Sequence, residues 1–238
     1  MLRTSLAILG LTAFASTAWA APQLERVRGT VVSATGNSVT VKTRDGATKT
    51  VEFGPDTKFV YVAKSSLDNV TDGKFIGTAT KGENPPVALE VVIFPASMKG
   101  TGEGHYAWDD IHDTTGSSGL TKSSMTNGTI KSESGSMTKS AMTNGTVKSS
   151  LTKSSMTNGT VKSGSSAGGG KKIDVTYDNG QSLAITVPST APIVEFEPAD
   201  KSIVKPGAKL FSVDAMDGGG KLTAKLVGIG KDGLTPPM

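Results

Sequence analysis

The residues best suited to chemistry lie in one short stretch, Gly100 to Gly116, which reads GTGEGHYAWDDIHDTTG. It holds both histidines, His105 and His112, with Glu103, Asp109, Asp110 and Asp113, and it carries Tyr106 and Trp108. Imidazole nitrogens and carboxylate oxygens are ligands for divalent transition metals such as Zn, Mn, Ni or Cu. On a glycine-flanked loop His105 and His112 can converge on one ion, with Asp109 or Asp113 completing the shell. These four residues form the candidate metal set. Their spacing matches no recognised metal motif, and the competing reading is an interdomain clasp. In that reading Tyr106, Trp108 and Ile111 pack and the charges are solvated. Nucleophilic chemistry has weaker signals. The chain has no cysteine, no Gly-x-Ser-x-Gly elbow is present, and GTGEG lacks the Lys-Ser/Thr and apolar helix of a phosphate loop. No catalytic and no cofactor-binding residue is assigned.

Short strands must carry this stretch. Val39 and Val41 share one strand face, Asp45-Gly46 suits a tight hairpin turn, and Val51 and Phe53 share a face on the return. Phe59 to Val62, Phe75-Ile76 and Leu89 to Phe94 supply more strands, with Asp72-Gly73 as a further turn and Ser65-Ser66-Leu67-Asp68 suited to capping a single helical turn. The second half repeats the plan at an offset of 134 residues: Gly46 meets Gly180, Val51 meets Ile185, Val60 meets Val194, Gly73 meets Gly207 and Ile76 meets Leu210. Gly29-Thr30-Val31 returns as Gly159-Thr160-Val161. The spacing therefore predicts an all-β chain of two tandem small sandwiches or barrels joined by a flexible linker.

Between the two halves one phrase occurs three times: KSSMTNGTIKS from Lys122, KSAMTNGTVKS from Lys139 and KSSMTNGTVKS from Lys153. The third copy is needed as the first strand of the second half. The earlier two sit in Ser, Thr, Gly and Lys with little to bury, so 116–154 reads as a largely disordered linker. From Thr114 to Lys172 there are eight lysines and one acid, against a formal charge of +4 for the whole chain. This basic strap is suited to anionic envelope polymers, or simply to keeping the linker soluble and extended. Nucleic acid is excluded as a partner, because the rest of the chain is slightly acidic and lacks stacking aromatics beside arginines.

Residues 1–20 read as an export signal, with Arg3, the apolar run Leu6 to Phe14, and Ala18-Trp19-Ala20 at a cleavage site after Ala20. The expected compartment is periplasmic or secreted, in a bacterium, and no second apolar run suggests a membrane span. The divisions that follow are 1–20 signal, 24–98 first barrel, 99–115 His/Asp/aromatic loop, 116–154 linker, 155–230 second barrel and 231–238 tail.

The phrases RGTVVSATGNSVTVKTRDG, DTKFVYV and SLDNVTDGKFIGTATKG resemble a family of exported bacterial domains of unknown function. The matching positions are Gly29, Val31, Gly46, Thr57, Leu67 and Gly73. The resemblance covers about seventy residues of the first half and, more loosely, the second, and it implies a small OB-type barrel. Some members carry a metal-transporter permease name, from which this chain departs. The motifs are structural, so they transfer no active-site residue. The function expected is a non-catalytic binding or envelope-associated protein. A metal-binding accessory protein using His105 to Asp113 is the alternative, and a hydrolytic enzyme the third reading.

Overall fold

A computed structural model of the chain describes residues 23–116, 119–131, 165–166 and 170–237. Expectations for the leader, and for the second and third copies of the repeated phrase, fall outside the described residues. The regular structure is strand and 3-10 turn: β1 (Gln23–Ala34), β2 (Ser38–Thr43), β3 (Thr48–Lys64), β4 (Phe75–Lys81), β5 (Val87–Ile93), β6 (Gly104–His112), β7 (Leu120–Lys131), β8 (Ser165–Ser166), β9 (Gly170–Tyr177), β10 (Gln181–Val187), β11 (Ile193–Ala199), β12 (Lys209–Met216) and β13 (Leu222–Gly230). Period-2 burial drives them. In β2, Val39 and Val41 are fully buried while the residues between and beyond them are not. Strand β4 is instead buried along nearly its whole length, because β5 and β7 flank it and core covers both faces.

Strands β1, β2, β3, β13 and β12 pair in a closed circuit, antiparallel throughout except for the parallel β3–β13 contact. The result is a five-stranded β-barrel filled by Val27, Val39, Val41, Val51, Leu210 and Val227. Strands β7, β4, β5, β10 and β9 follow the same order of pairings, with β5 and β10 meeting in parallel at Val87 and Thr186. Ile76, Val91, Ile130, Ile173, Val175 and Ile185 fill this second circuit. The antiparallel β3–β11 pair and the parallel β5–β11 pair join the two.

The halves of the chain are therefore crossed rather than laid end to end. The first barrel takes β1 to β3 from the first half and β12 and β13 from the second, while β4 and β5 of the first half complete the other circuit. This differs from the expected divisions at 24–98 and 155–230. The 134-residue offset nevertheless holds from β2 to the start of β4. Val62 and its counterpart Phe196 pair with each other, and the Val60–Pro198 pair maps onto Val194–Lys64. The 3-10 turns Leu67–Asn69 and Lys201–Ile203 stand at the same offset. Gly46 (φ 89°) and Gly180 (φ 102°) occupy equivalent left-handed corners, where a side chain is disfavoured. Long β3 explains the crossing: beyond Phe59 it pairs with β11 and carries the chain out of the first barrel before it turns.

Two further expectations change. Residues 120–131, read as linker, form β7, whose buried Met125 and Ile130 are joined by the small polar residues Ser123, Thr126 and Asn127. The counterpart of Gly29 is Gly128, where Gly159 was expected. A Cβ on Gly29 would stand 2.1 Å from the Lys42 carbonyl oxygen, and one on Gly128 would stand 2.4 Å from that of Thr176, the residue 134 along from Lys42. Both first strands approach their neighbours too closely for any side chain. Of the eight lysines in the basic strap, Lys122, Lys131, Lys171 and Lys172 lie in strands, and the others are outside the described residues.

Candidate binding site

Where the two circuits meet, the strands enclose a cavity of about 580 Å³. Its walls come from distant parts of the chain: Phe211 and Leu226 from β12 and β13, Phe196 from β11, Phe94 and Met98 from beyond β5, and Trp108 and Met125 from β6 and β7. These elements bring their apolar faces here because the barrel interiors are already filled by aliphatic side chains. What remains at the junction is a separate cluster of Val60, Val62, Val92, Met98, Val194, Phe196 and Phe211. Phe94 is the hinge of the aromatic wall, edge-on to Phe196 at 5.2 Å between centroids and tilted against Phe75 at 5.4 Å.

Polar groups hold the wall in shape. The Asn127 side-chain amide donates to the Gly102 carbonyl at 2.9 Å and lies 3.2 Å from the Tyr106 hydroxyl. A Cβ on Gly77 would meet Asn127 Oδ1 at 2.5 Å and the Phe94 ring at 3.0 Å, so the missing side chain leaves room for both. The Arg26 guanidinium lies 3.6 Å over the Trp108 ring and donates to Asp109 at 2.9 Å, while Arg28 donates to the other Asp109 oxygen at 2.8 Å. Asp109 thus ties β6 to β1. The mouth is mixed: Leu24 and Tyr106 are exposed apolar or amphipathic side chains beside the exposed charges of Lys58, Lys225, Asp56 and Glu103.

The four candidate metal ligands are not brought together. The stretch that carries them is largely strand rather than loop: His105, Asp109 and His112 lie in β6 and Asp113 directly follows it, and His105 and His112 stand near opposite ends of β6, about 20 Å apart at ordinary strand rise. His105 Nδ1 is 2.8 Å from Thr126 Oγ1. His112 pairs with Leu120 and borders a smaller hollow of about 230 Å³. Asp109 binds the two arginines, and Asp113 binds Lys81 and the hydroxyl of Thr115. The Lys81 ammonium and Thr115 hold the Asp113 carboxyl well below the usual carboxylate range. Among the described residues no cluster of three or more His, Asp or Glu side chains is placed to hold a metal ion.

Two buried carboxyls are titratable near neutrality. Burial pushes Glu90 up to about 7 against the pull of Arg28 and Arg44. Burial also pushes Asp214 up to about 7, with the Ser212 hydroxyl opposing. Glu90 borders the smaller hollow with Arg44 and His112. The cavity itself escaped the sequence, because Phe94, Phe196 and Phe211 are joined only by the crossing. One local signal was present: Met125 and Asn127 stand two apart in the repeated phrase, the spacing of residues on one strand face.

No family model, no curated protein and no solved structure matches the chain.

Proposed function

We propose that the chain is a non-catalytic binding protein that holds a small apolar molecule in the cavity between its two circuits, and that it does so outside the cytoplasm after residues 1–20 are removed. The observation that carries this reading is the cavity, about 580 Å³ and walled by Phe94, Phe196, Phe211, Met98, Met125 and Trp108. That volume lies within the range of about 300–1,000 Å³ usual for small-molecule sites. Thioether and aromatic surfaces favour a flat or chain-like apolar body, and the charges at the mouth keep its entrance wet.

The test is a fluorescence titration with N-phenyl-1-naphthylamine, an uncharged apolar probe, on the parent chain and on Leu226→Trp, which fills the cavity from its β13 wall. The reading requires saturable one-site binding to the parent and at least a tenfold loss in the variant, with folding checked by circular dichroism. Equal binding by a folded variant removes the proposal.

A further inference from the structure

Glu90 is the only charged residue of β5, whose other residues are Val, Ala, Leu and Ile. It is 2% exposed, its Oε1 has no hydrogen-bond partner, and no ion pair among the described residues includes it. Two guanidiniums act on it, Arg28 from β1 and Arg44 from the turn between β2 and β3. Both are short of negative charge. Arg28 Nη1 binds Asp109, which also serves Arg26, and Arg28 Nη2 is buried without a partner. Arg44 Nη2 donates to the Pro236 carbonyl at 3.1 Å, an uncharged acceptor. Burial first and Arg28 second hold Arg44 below the usual guanidinium value, as expected of a cation that lacks an anion.

These groups do not meet in solid packing. Glu90 and Arg44 border the hollow of about 230 Å³, with His112 beside them. The C-terminal segment closes another side at Pro236, and Leu89 and Ile111 give the hollow apolar wall. Because Pro236 also accepts from Arg44, the segment fixes the guanidinium at the edge of the space. A void bounded by an unpaired buried acid and a fixed, under-neutralised cation has the parts of a recognition site: apolar walls for bulk and a few polar groups for orientation.

We propose that this hollow is a second ligand site, and that it holds a small organic carboxylate between the Arg44 guanidinium and the Glu90 carboxyl. The guanidinium supplies charge and a fork of N–H donors. Glu90, protonated below about pH 7, donates its hydrogen to the ligand carboxylate, so that neither acid group is left unpaired. Other ligand classes answer the hollow less well. A metal cation would face Arg44 and Arg28. An inorganic anion would leave the Leu89 and Ile111 walls empty, and an uncharged alcohol would leave the guanidinium without an anion. The hollow shares no wall residue with the aromatic cavity, so the inference stands whether or not that cavity binds.

The charged or titratable groups facing Glu90 are Arg28 on β1, Arg44 in its turn and His112 on β6. As pH rises through about 7, Glu90 ionises, loses its hydrogen and repels the ligand carboxylate. The test is calorimetric titration of the full chain with sodium benzoate at pH 6 and pH 8. The proposal requires saturable one-site binding at pH 6 and affinity lower by about tenfold at pH 8. Glu90→Gln keeps an N–H donor that does not ionise, so it should bind equally at both pH values. Arg44→Met should lose about tenfold or more at pH 6, and His112→Gln should keep the pH dependence of the parent. Arg44 and His112 are exposed, so those two variants spare the core, and circular dichroism checks the folding of all three. Absence of saturable binding, equal parent affinity at the two pH values, undiminished binding by Arg44→Met or a flat profile in His112→Gln overturns the proposal. Equal binding of benzyl alcohol or equal displacement by inorganic phosphate overturns the carboxylate assignment. Benzoate that displaces N-phenyl-1-naphthylamine occupies the aromatic cavity instead, and overturns it too.

Discussion

Replacing Asp214 with asparagine isolates the electrostatic cost of the first barrel. The side chain is completely buried in β12, with Oδ2 accepting the Ser212 hydroxyl at 2.8 Å and Oδ1 without a hydrogen-bond partner. Its carboxyl is raised from 3.8 to about 7, by burial first and then by the nearby Glu25, against Ser212 and Lys49. Between about pH 4 and pH 7 the folded chain keeps a proton that the unfolded chain has released, so stability falls as pH rises through that window. A shift of about three units is worth about 4 kcal/mol at about 1.4 kcal/mol per unit. Asparagine keeps the size and the hydrogen bond but cannot ionise. Asp214→Asn and the parent should therefore be nearly equal at pH 4, with the variant ahead by about 4 kcal/mol at pH 8, or roughly 10 °C in Tm. Glu90 titrates over the same range in both chains and cancels in the difference. The assay is urea or thermal denaturation of both proteins at unit steps from pH 4 to pH 9. A difference that does not change with pH, or a variant less stable at pH 8, refutes the assignment of a neutral buried carboxyl.

Three more outcomes follow. Gly29→Ala should destabilise by about 1–3 kcal/mol, because its Cβ would stand 2.1 Å from the Lys42 carbonyl oxygen, while Gly46→Asn in an open left-handed turn should cost about 1 kcal/mol or less; chemical denaturation of the two compares them directly. Asp109→Ala should cost about 2 kcal/mol in the same assay and expose Trp108 to solvent, read as a red shift of its emission, because two part-buried guanidiniums lose their shared partner. His105→Ala/His112→Ala should leave the metal content of protein purified without chelator unchanged, since the two rings stand at opposite ends of β6; a loss of bound metal in elemental analysis would restore the candidate set.

The strand content was legible because burial alternates where valines alternate: Val39 and Val41, Val51, and their counterparts Ile173, Val175 and Ile185 all point into barrel interiors. The shared plan of the two circuits was legible for a related reason, since Gly46 and Gly180 take the same left-handed corner. What could not be read is which of two matching elements pairs with which. Ile76 and Leu210 have equivalent surroundings in pattern, so Gly29 opposite Leu210 looks the same in sequence as Gly29 opposite Ile76. The cavity vanished with that ambiguity, because its walls face one another only once the strands have crossed. Strand β6 was hidden by its flanking glycines and by Asp109-Asp110, which coincide with a bulge between Ala107 and Asp110. Strand β7 was hidden by composition. Ser123, Thr126 and Asn127 are buried polar residues, and hydrogen bonds to Asp109, His105 and Gly102 make that burial tolerable.

The most direct measurement is a set of nuclear Overhauser contacts across β1. The crossed arrangement requires backbone contacts linking Val27 to Ser212 and Gly29 to Leu210. Contacts from Gly29 to Ile76, the counterpart of Leu210 in the other half, would mean that each half closes on itself, and the shared cavity at the junction would be lost with the crossing.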